Sequence, residues 1–311
     1  MAREALPDRS EPHLTCLAVV IVNYNAGALL AAGVAAVRQA RGTQPWDVIV
    51  VDNASGDDSL APLQTSDDVI VRRNPENIGF GAACNSGARA SEAHWLLFLN
   101  PDCELTPGVI EQLIAEADRH PRCVAIGPRI QDPDGAVQGS ARGDPNVLAG
   151  LAGRTGWLTR LLPSSGVVGR QVIWPERLPA GASSMTVDWI SGACLLVRRD
   201  AFDQVDGFDE RYFLYWEDAD LCRRMRERGG HVRYAPGVSV RHAVGQSSRH
   251  APAAALRAFH ASAYRYYTRW NAPRVWDPRR LGAKALLTAR LVVKLTAVRI
   301  ARGASTHRPR S

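Results

Sequence analysis

Asp102 is the first residue whose position in the chain suggests chemistry. It follows the apolar run 96–99 and the pair Asn100-Pro101. The run is typical of a buried strand in a parallel sheet, and Pro101 ends the strand because proline has no backbone N–H to donate. Open α/β sheets bind ligands at the carboxyl ends of their strands. Asp102 is therefore a candidate ligand for a metal ion that in turn holds a diphosphate. The alternative is a strand followed by an ordinary polar turn.

A second acidic group opens a predicted helix after the aromatic stretch 212–216. Glu217, Asp218 and Asp220 all fall in the first turn of this helix. One of them is a candidate general base, with the neighbouring carboxylates tuning its pKa. The helix dipole also favours acids in any first turn, which explains them without a function. His242 ends a later predicted strand, where a lone histidine is more often structural than a ligand.

Polar residues follow the first two predicted strands, at 17–22 and 47–51. Asp52 ends the second strand, where a carboxylate commonly accepts hydrogen bonds from a base or ribose. No GxGxxG motif follows either strand, which argues against a dehydrogenase. The residues after the first strand are Asn23, Tyr24 and Asn25.

Glycines mark two further places where a ligand would come close to the backbone. Gly79 and Gly81 lie in the predicted loop 74–81, where they would admit a phosphate or simply shape a turn. Gly192 interrupts the apolar stretch 187–198 and leaves room for a ligand in the same way.

Strands and helices alternate along the first 120 residues, which predicts an α/β fold with a mostly parallel sheet. Thr106 is the predicted N-cap and Pro107 the first residue of the third helix. The sequence DPDG at 132–135 predicts a hairpin turn. The predicted strands are 17–22, 47–51, 69–71, 95–99, 232–234 and 238–241, and the predicted helices are 28–39, 82–90, 107–119, 253–270 and 281–300.

The cysteines and the N-terminal segment indicate a cytosolic protein, and the composition along the chain indicates its domain boundaries. Six cysteines without a CxxC pair suggest reduced thiols rather than a zinc site. Residues 1–14 form a predicted flexible N-terminus without the apolar core of a signal peptide. We expect a catalytic domain at 15–250, with a variable acceptor-side insertion at 143–185, and a basic helical tail at 251–311.

The tail carries most of the positive charge. Residues 251–311 contain thirteen Arg and Lys against one acid, a net charge of +12, whereas the rest of the chain has a net charge of −5. Two basic amphipathic helices suit the anionic inner face of a membrane, with the tail aromatics at the interface. The alternative is a helix pair that packs on the catalytic domain or in a homodimer. The apolar residues predicted for the membrane face are Leu286, Leu287, Leu291, Leu295 and Val298, and the aromatics are Tyr264, Tyr266, Tyr267 and Trp270.

Six motifs in order resemble an inverting glycosyltransferase of family 2 with a GT-A fold. They are VIVNYN at 20–25, VVDNASGD at 50–57, NPENIGFGAACNSG at 74–87, FLNPD at 98–102, SGACLLVRR at 191–199 and FDERYFLYWEDADLCRR at 208–224. Within that family the chain looks most like bacterial rhamnosyltransferases that build lipid-linked or surface polysaccharides.

The resemblance implies a role for each candidate residue. Asp218 matches the catalytic base, and Glu217 would orient the acceptor or Asp218. Asp102 would hold Mg²⁺ or Mn²⁺, and His242 stands where some members complete the metal sphere. Asn100 replaces the first Asp of the family's Asp-x-Asp motif. The implied nucleotide-sugar contacts are Asn23, Tyr24, Asn25, Asp52, Asn77, Gly79, Asn100 and Gly192.

The same resemblance favours dTDP-rhamnose as donor and a lipid-linked or glycan acceptor, at the inner face of the cell membrane. A UDP- or GDP-linked donor and a non-catalytic membrane scaffold remain alternatives. A nucleotidyltransferase would carry basic residues directly after the first strand, where Asn23 to Gly27 include none. The Arg-rich tail lacks a recognised nucleic-acid-reading module, so no nucleic-acid partner is expected.

Overall fold

The computed structural model describes residues 16–41, 45–145, 172–242 and 252–306. The predicted N-terminal segment 1–14, the middle of the predicted insertion and the predicted boundary at 250 lie outside these residues.

Eleven strands and seven α-helices occur in the described residues. The strands are β1 (Leu17–Asn23), β2 (Trp46–Asp52), β3 (Ile70–Arg73), β4 (Trp95–Leu99), β5 (Cys103–Glu104), β6 (Cys123–Gln131), β7 (Ala141–Arg142), β8 (Met185–Val187), β9 (Trp189–Ile190), β10 (Cys194–Arg198) and β11 (His231–His242). The helices are α1 (Ala28–Arg41), α2 (Phe80–Ala88), α3 (Val109–Asp118), α4 (Arg199–Asp203), α5 (Glu217–Glu227), α6 (Pro252–Trp270) and α7 (Arg279–Thr306).

The central sheet confirms the predicted α/β architecture. Its strand order is β3-β2-β1-β4-β10-β6-β11-β5, with β8 paired to β11. β1 is parallel to β2 and β4, whereas β10 runs antiparallel between β4 and β6. The carboxyl ends of β1, β2 and β4 therefore meet at one edge, as the sequence predicts.

Burial on both faces explains the apolar strands. All seven residues of β1 and all five of β4 are buried. Successive residues of β1 alternate between two hydrophobic cores, one on each side of the sheet: Val19 and Ile21 join one, and Val20 and Val22 join the other. A strand with helices on both faces needs this pattern.

Two predicted elements differ from the structure. Residues 231–242 form one long strand with an irregularity between Ala235 and Ser239, not a strand pair. Thr106 is not the cap of α3, because Gly108 adopts φ +83° and turns the chain before the helix starts. The Thr106 carbonyl instead accepts a hydrogen bond from the Val109 amide within that turn.

The first tail helix, α6, packs on the body of the protein. Tyr266 is buried, and the Trp270 indole donates to the Asp220 carboxylate at 2.8 Å. Asp220 is fully buried and also accepts from Arg224. The prediction that Tyr266 and Trp270 face a membrane is therefore wrong, since both contribute to packing within the protein.

The second tail helix, α7, has a buried face and an exposed one. Ala283 and Leu287 are buried, whereas Leu281, Leu286, Val292, Val293 and Ile300 are exposed. Trp276, just before the helix, is exposed as well. The predicted membrane face was thus wrong for Leu287. Within the part of the chain that the structure describes, no helix is both long and apolar enough to cross a bilayer.

Candidate active site

Three residues at the end of β4 and of β11 come together as the sequence predicts. His242 Nε2 lies 3.1 Å from Asp102 Oδ1 and 3.2 Å from the Asn100 side-chain amide nitrogen. Cys103 pairs with His242 across β5 and β11, so its sulfur belongs to the same cluster. The donor atoms of Asp102, Cys103 and His242 all lie within 4.8 Å of one another.

A glycine on α1 lets the loop after β4 take this position. A Cβ added to Gly33 would lie 2.5 Å from the Pro101 carbonyl oxygen, closer than any side chain tolerates. Only glycine therefore allows α1 to lie against the backbone between Asn100 and Asp102.

The turn before β10 links this cluster to the acidic helix. The Gly192 amide donates to Asp218 Oδ2 at 3.0 Å. The carbonyl of the next residue, Ala193, accepts a hydrogen bond from the backbone N–H of Asn100 at 2.9 Å. Two consecutive residues thus hold Asp218 on one side and the Asp102 loop on the other.

Asp218 is partly buried and keeps strong hydrogen-bond donors. Its Oδ1 accepts from the Ala219 amide at 2.8 Å, in addition to the Gly192 contact. Burial raises the pKa of Asp218, whereas the two amide bonds and the positive charge of Arg142 lower it by a smaller amount. A raised proton affinity in a carboxyl held by hydrogen-bond donors suits a general base.

Glu217 faces the protein interior beside α2. Its side chain lies close to Gly81, and its Oε2 has no hydrogen-bond partner in the described residues. Burial, followed by the charge of Asp218, raises the pKa of Glu217 well above its usual range. Of the two carboxyls, Asp218 is the better placed to carry a charge, because it accepts the Gly192 and Ala219 amide bonds, whereas Glu217 Oε2 has no partner among the described residues.

Glu217→Gln is expected to stabilise the protein at neutral and higher pH. A carboxyl whose pKa is raised on folding stabilises the fold fully only below its unfolded pKa, and that stability is lost as pH rises through the folded pKa. Each unit of the shift corresponds to about 1.4 kcal/mol, so we expect a gain of at least about 1 kcal/mol at pH 8 and little gain at pH 4. Thermal unfolding at both pH values measures the difference.

The matched control is Glu227→Gln, at the exposed end of the same helix. It should leave the pH dependence of unfolding as in the wild type. If Glu217→Gln behaves like this control, Glu217 is not a buried carboxyl with a raised pKa.

The backbone before Glu217 is strained and held by the tail. Tyr215 and Trp216 both adopt left-handed conformations, with φ +67° and +72°, which aromatic residues rarely take. Phe259 and Tyr266 of α6 pack against the Trp216 ring with centroids 5.7 and 5.4 Å away. The tail helix therefore supports the bend that places Asp218, a role the sequence did not indicate.

The carboxyl ends of β1 and β2 form a second polar cluster. Asn23 lies beside Asp52 in the sheet and donates to its Oδ1 at 2.7 Å. Asn23 is fully buried, so in this structure it holds Asp52 and the hydroxyls of Ser55 and Ser59. Its predicted contact with a nucleotide stays a prediction.

The loop after β1 presents one exposed ring. The Asn25 side chain accepts from the Gly56 amide at 2.8 Å, and Ser55 accepts from the Asn25 amide. These bonds tie the loops after β1 and β2 together. Tyr24 between them is 38% exposed and so is free to stack on a flat ligand.

Asn53 is the residue of this edge that the sequence reasoning missed. It is buried, donates to Asn77 Oδ1 and the Gly79 carbonyl, and accepts from Asn74 and the Ile78 amide. It fixes the whole loop 74–79. Its place in the VVDNASGD motif beside Asp52 was the available signal.

Packing within the protein, rather than a bound ligand, explains why residue 79 is a glycine. Gly79 has φ +91°, and an added Cβ would lie 2.4 Å from the Phe213 carbonyl oxygen. That carbonyl accepts from the Phe80 amide at the start of α2. The loop 74–79 is therefore fixed against the segment that leads into α5. Gly192 also packs against this region, because a Cβ added to it would lie 3.3 Å from the Phe80 ring.

Sequence comparison assigns this arrangement to a family. The model described as "Glycosyl transferase family 2" matches residues 18–205, which include Asn23, Asp52, Asp102 and β10 but end before Asp218 and His242. The chain belongs to glycosyltransferase family 2. It is a glycosyltransferase, and the resemblance seen in its motifs is confirmed.

Among curated relatives, the chain is similar to a mycobacterial enzyme over most of its length. It is 36% identical over 281 residues to "N-acetylglucosaminyl-diphospho-decaprenol L-rhamnosyltransferase" of Mycobacterium tuberculosis strain H37Rv, covering 85% of this chain and 89% of that protein. It is also 46% identical to "Rhamnosyltransferase WbbL" of Escherichia coli K12, but over 54 residues, 17% of this chain and 20% of that protein.

Solved structures confirm the GT-A fold. GalNAc-T7, solved with UDP, GalNAc and Mn²⁺, has a TM-score of 0.58 at 17% identity, covering 96% of this chain and 59% of that one. The Pyrobaculum calidifontis mannosyltransferase PcManGT, solved with GDP-Man and Mn²⁺, has a TM-score of 0.51 at 16% identity, covering 94% and 80%.

Proposed function

We propose that the protein transfers L-rhamnose from dTDP-rhamnose to a lipid-linked sugar, with inversion at the anomeric carbon, in cell-envelope glycan synthesis. The name of the mycobacterial relative supports both the sugar and the acceptor class, since the two chains align over nearly their whole lengths. The alternative donors are UDP- or GDP-linked sugars, because a few pocket side chains determine nucleotide preference.

The observation that carries the proposal is the turn Gly192-Ala193. It holds a carboxylate base and a carboxylate–imidazole pair at one edge of the sheet. Inverting transfer needs a base on one face of the sugar and charge stabilisation of the leaving diphosphate on the other. A rigid connection between the two groups would keep them on opposite sides of one donor.

The residues present fit a divalent cation. Asp102 offers an oxygen and His242 a nitrogen, a donor set suited to Mn²⁺ or Mg²⁺ together with diphosphate oxygens. Cys103 is a poor third ligand: its thiol lies near the Ala193 carbonyl, and burial raises its pKa well above its usual range. When bound, the cation would neutralise charge that develops on the diphosphate.

The base step is carried by Asp218. Its carboxylate would accept the proton of the acceptor hydroxyl as that oxygen attacks the anomeric carbon and the bond to the diphosphate breaks. Glu217 would remain protonated and keep a second negative charge away from the reacting oxygen. Asp52, Tyr24 and the loop held by Asn53 and Asn77 would receive the nucleotide.

A panel of nucleotide sugars tests the donor assignment. The protein is incubated with dTDP-rhamnose, UDP-N-acetylglucosamine, UDP-galactose or GDP-mannose, each with Mn²⁺ or Mg²⁺, and release of the nucleoside diphosphate is measured. We expect dTDP-rhamnose to be cleaved fastest. Faster release from a UDP- or GDP-sugar would overturn the donor assignment and leave the family assignment intact.

The exposed face of α7 supports a position on an anionic membrane. Leu281 and Val292 project on the side of the helix opposite Ala283 and Leu287, which are buried, and Val293 and Ile300 lie next to them on the same exposed face. A helix with one face packed on the protein and an apolar face outward, bordered by cations, is typical of an interfacial anchor. Exposed Lys284 lies at the edge of this face and exposed Arg299 within it, and Lys294 is exposed elsewhere on the same helix.

Replacing Lys284, Lys294 and Arg299 by glutamine is expected to weaken binding to anionic vesicles about 100-fold. Each cation near such a surface contributes about 1 kcal/mol, and added salt screens the effect within about 10 Å at 0.1 M. Vesicle flotation at two salt concentrations measures it. The control, in which the two lysines become arginines, should bind like the wild type. Equal binding by the glutamine variant would mean that the charge is not the cause.

A further inference from the structure

Gln138 contacts both the side chain and the main chain of His242. It lies after the 132–135 turn, and its Nε2 donates to Asp132 Oδ1 and to the His242 carbonyl, both at 2.9 Å. Both partners are acceptors only, so the amide nitrogen of Gln138 must point at them. Its Oε1 is thereby turned toward His242 Nδ1, 3.1 Å away.

This contact determines where the imidazole carries its proton. An amide oxygen accepts hydrogen bonds and cannot donate, so the proton of a neutral His242 lies on Nδ1. Nε2 then has a free lone pair directed at the cluster. It lies 3.1 Å from Asp102 Oδ1, and the Asn100 amide donates to it at 3.2 Å.

His242 Nε2 and Asp102 Oδ1 would then be two acceptors 3.1 Å apart, and they repel each other unless a positive charge lies close to both. The Asn100 amide supplies part of that charge, and a divalent cation would supply the rest. A histidine that binds a metal through one nitrogen commonly donates the other N–H to an outer-shell acceptor, which fixes the ring.

We propose that Gln138 is a positioning residue that holds His242 with Nδ1 protonated and Nε2 available to the cation. This inference rests on the metal site proposed above, and it adds a residue outside the family motifs that led to that site. The hairpin of 131–138 thereby connects the end of β6 to the ligand at the end of β11. Gln138 acts through His242 and does not itself touch the cation.

The test compares Gln138→Met, which keeps the side-chain length and removes the acceptor, with the double variant Asp132→Asn/Gln138→Glu, which keeps an acceptor toward Nδ1 and replaces the Asp132 carboxylate by an amide that can donate to it. Gln131→Met is the matched control, because Gln131 lies on the same hairpin and its side chain bonds, within the described residues, to the Gly135 carbonyl alone. Three quantities are measured: the ¹⁵N signals of the His242 ring in metal-free protein at pH 8, assigned with His242→Asn; the Mn²⁺ affinity by electron paramagnetic resonance with dTDP present; and dTDP affinity without metal.

We expect Gln138→Met to lose the Nδ1–H signal and to bind Mn²⁺ roughly 10–100-fold more weakly, which is the usual cost of losing an outer-shell partner. Its metal-free dTDP affinity should stay within twofold of wild type. The double variant Asp132→Asn/Gln138→Glu should retain the signal and most of the Mn²⁺ affinity, and Gln131→Met should match the wild type in all three measurements.

A Gln138→Met protein with an unchanged tautomer and Mn²⁺ affinity would overturn the inference. An equal loss of metal-free dTDP affinity would do so too, because it would indicate general damage to the fold. If the wild type itself binds no Mn²⁺, the proposed metal site fails and the role of Gln138 toward a cation falls with it. The ring signals would in that case still show whether Gln138 sets the tautomer, so the two failures are distinguishable.

Discussion

Asp218→Asn is expected to reduce transfer by a factor of about 10²–10⁴ while leaving donor binding unchanged. The range is what a positioned general base contributes to a reaction of this kind. Asparagine has the same shape, and its single oxygen still accepts one of the two amide bonds that Gly192 and Ala219 donate to Asp218. The rate of sugar transfer and the affinity for dTDP, measured on the same preparation, separate the two effects.

The matched control is Asp203→Asn, which changes an exposed aspartate in α4 whose one ion-pair contact among the described residues is Arg199, 3.9 Å away. It should transfer sugar at the wild-type rate. Transfer by Asp218→Asn at more than about a tenth of that rate would show that the base is another residue. Loss of dTDP binding would instead assign Asp218 to the donor site.

The second large effect is expected for Asp102→Ala, which should abolish the enhancement of dTDP binding by Mn²⁺. The loss should exceed the roughly 10–100-fold that an outer-shell change gives, because the substitution removes the carboxylate ligand itself. Without that oxygen, His242 alone cannot hold the cation between the protein and the diphosphate. Calorimetry with dTDP, in the presence and absence of Mn²⁺, measures the enhancement.

Asp134→Ala is the control, because Asp134 is an exposed acid on the neighbouring 132–135 turn. Its metal enhancement should equal that of the wild type. If Asp102→Ala also retains the full enhancement, the cation is bound elsewhere and the cluster at Asp102 is structural.

The edge of the sheet could be predicted because simple patterns determine it. Apolar runs mark strands buried on both faces, and a proline after β4 fixes where Asp102 leaves the sheet. Parallel strands then bring Asn23, Asp52 and Asp102 to the same edge. The pairing of His242 with Asp102 came from the family resemblance, since no local pattern connects residues so far apart in the chain.

The elements that were predicted wrongly depend on contacts between distant segments. Pro236-Gly237 is an ordinary turn signal, yet β11 continues through it with an irregularity opposite β6. A basic helix with aromatic residues suits a membrane equally well in isolation. The bond between the buried Asp220 and Trp270, together with the packing of Phe259 and Tyr266 on Trp216, shows that α6 is part of the body of the protein.

Three acids in the first turn of α5 look alike in the sequence but differ in the structure. Asp220 binds α6, Glu217 is buried with no partner for Oε2 in the part of the chain that the structure describes, and Asp218 is directed at the Gly192 turn. Burial and partners distinguish the three, and neither can be read from spacing along a helix. Gln138 escaped notice for the same reason, since its partner lies 104 positions further along the chain.

The most direct test of the account is the stereochemistry of a completed transfer. The protein is incubated with dTDP-rhamnose, Mn²⁺ and N-acetylglucosaminyl diphosphate linked to a short polyprenol, and the product is analysed by mass and by nuclear magnetic resonance. We predict a rhamnosyl-N-acetylglucosaminyl lipid whose new bond has the anomeric configuration opposite to that of the donor. A product with the donor's configuration would contradict the proposal that Asp218 directs a single in-line displacement.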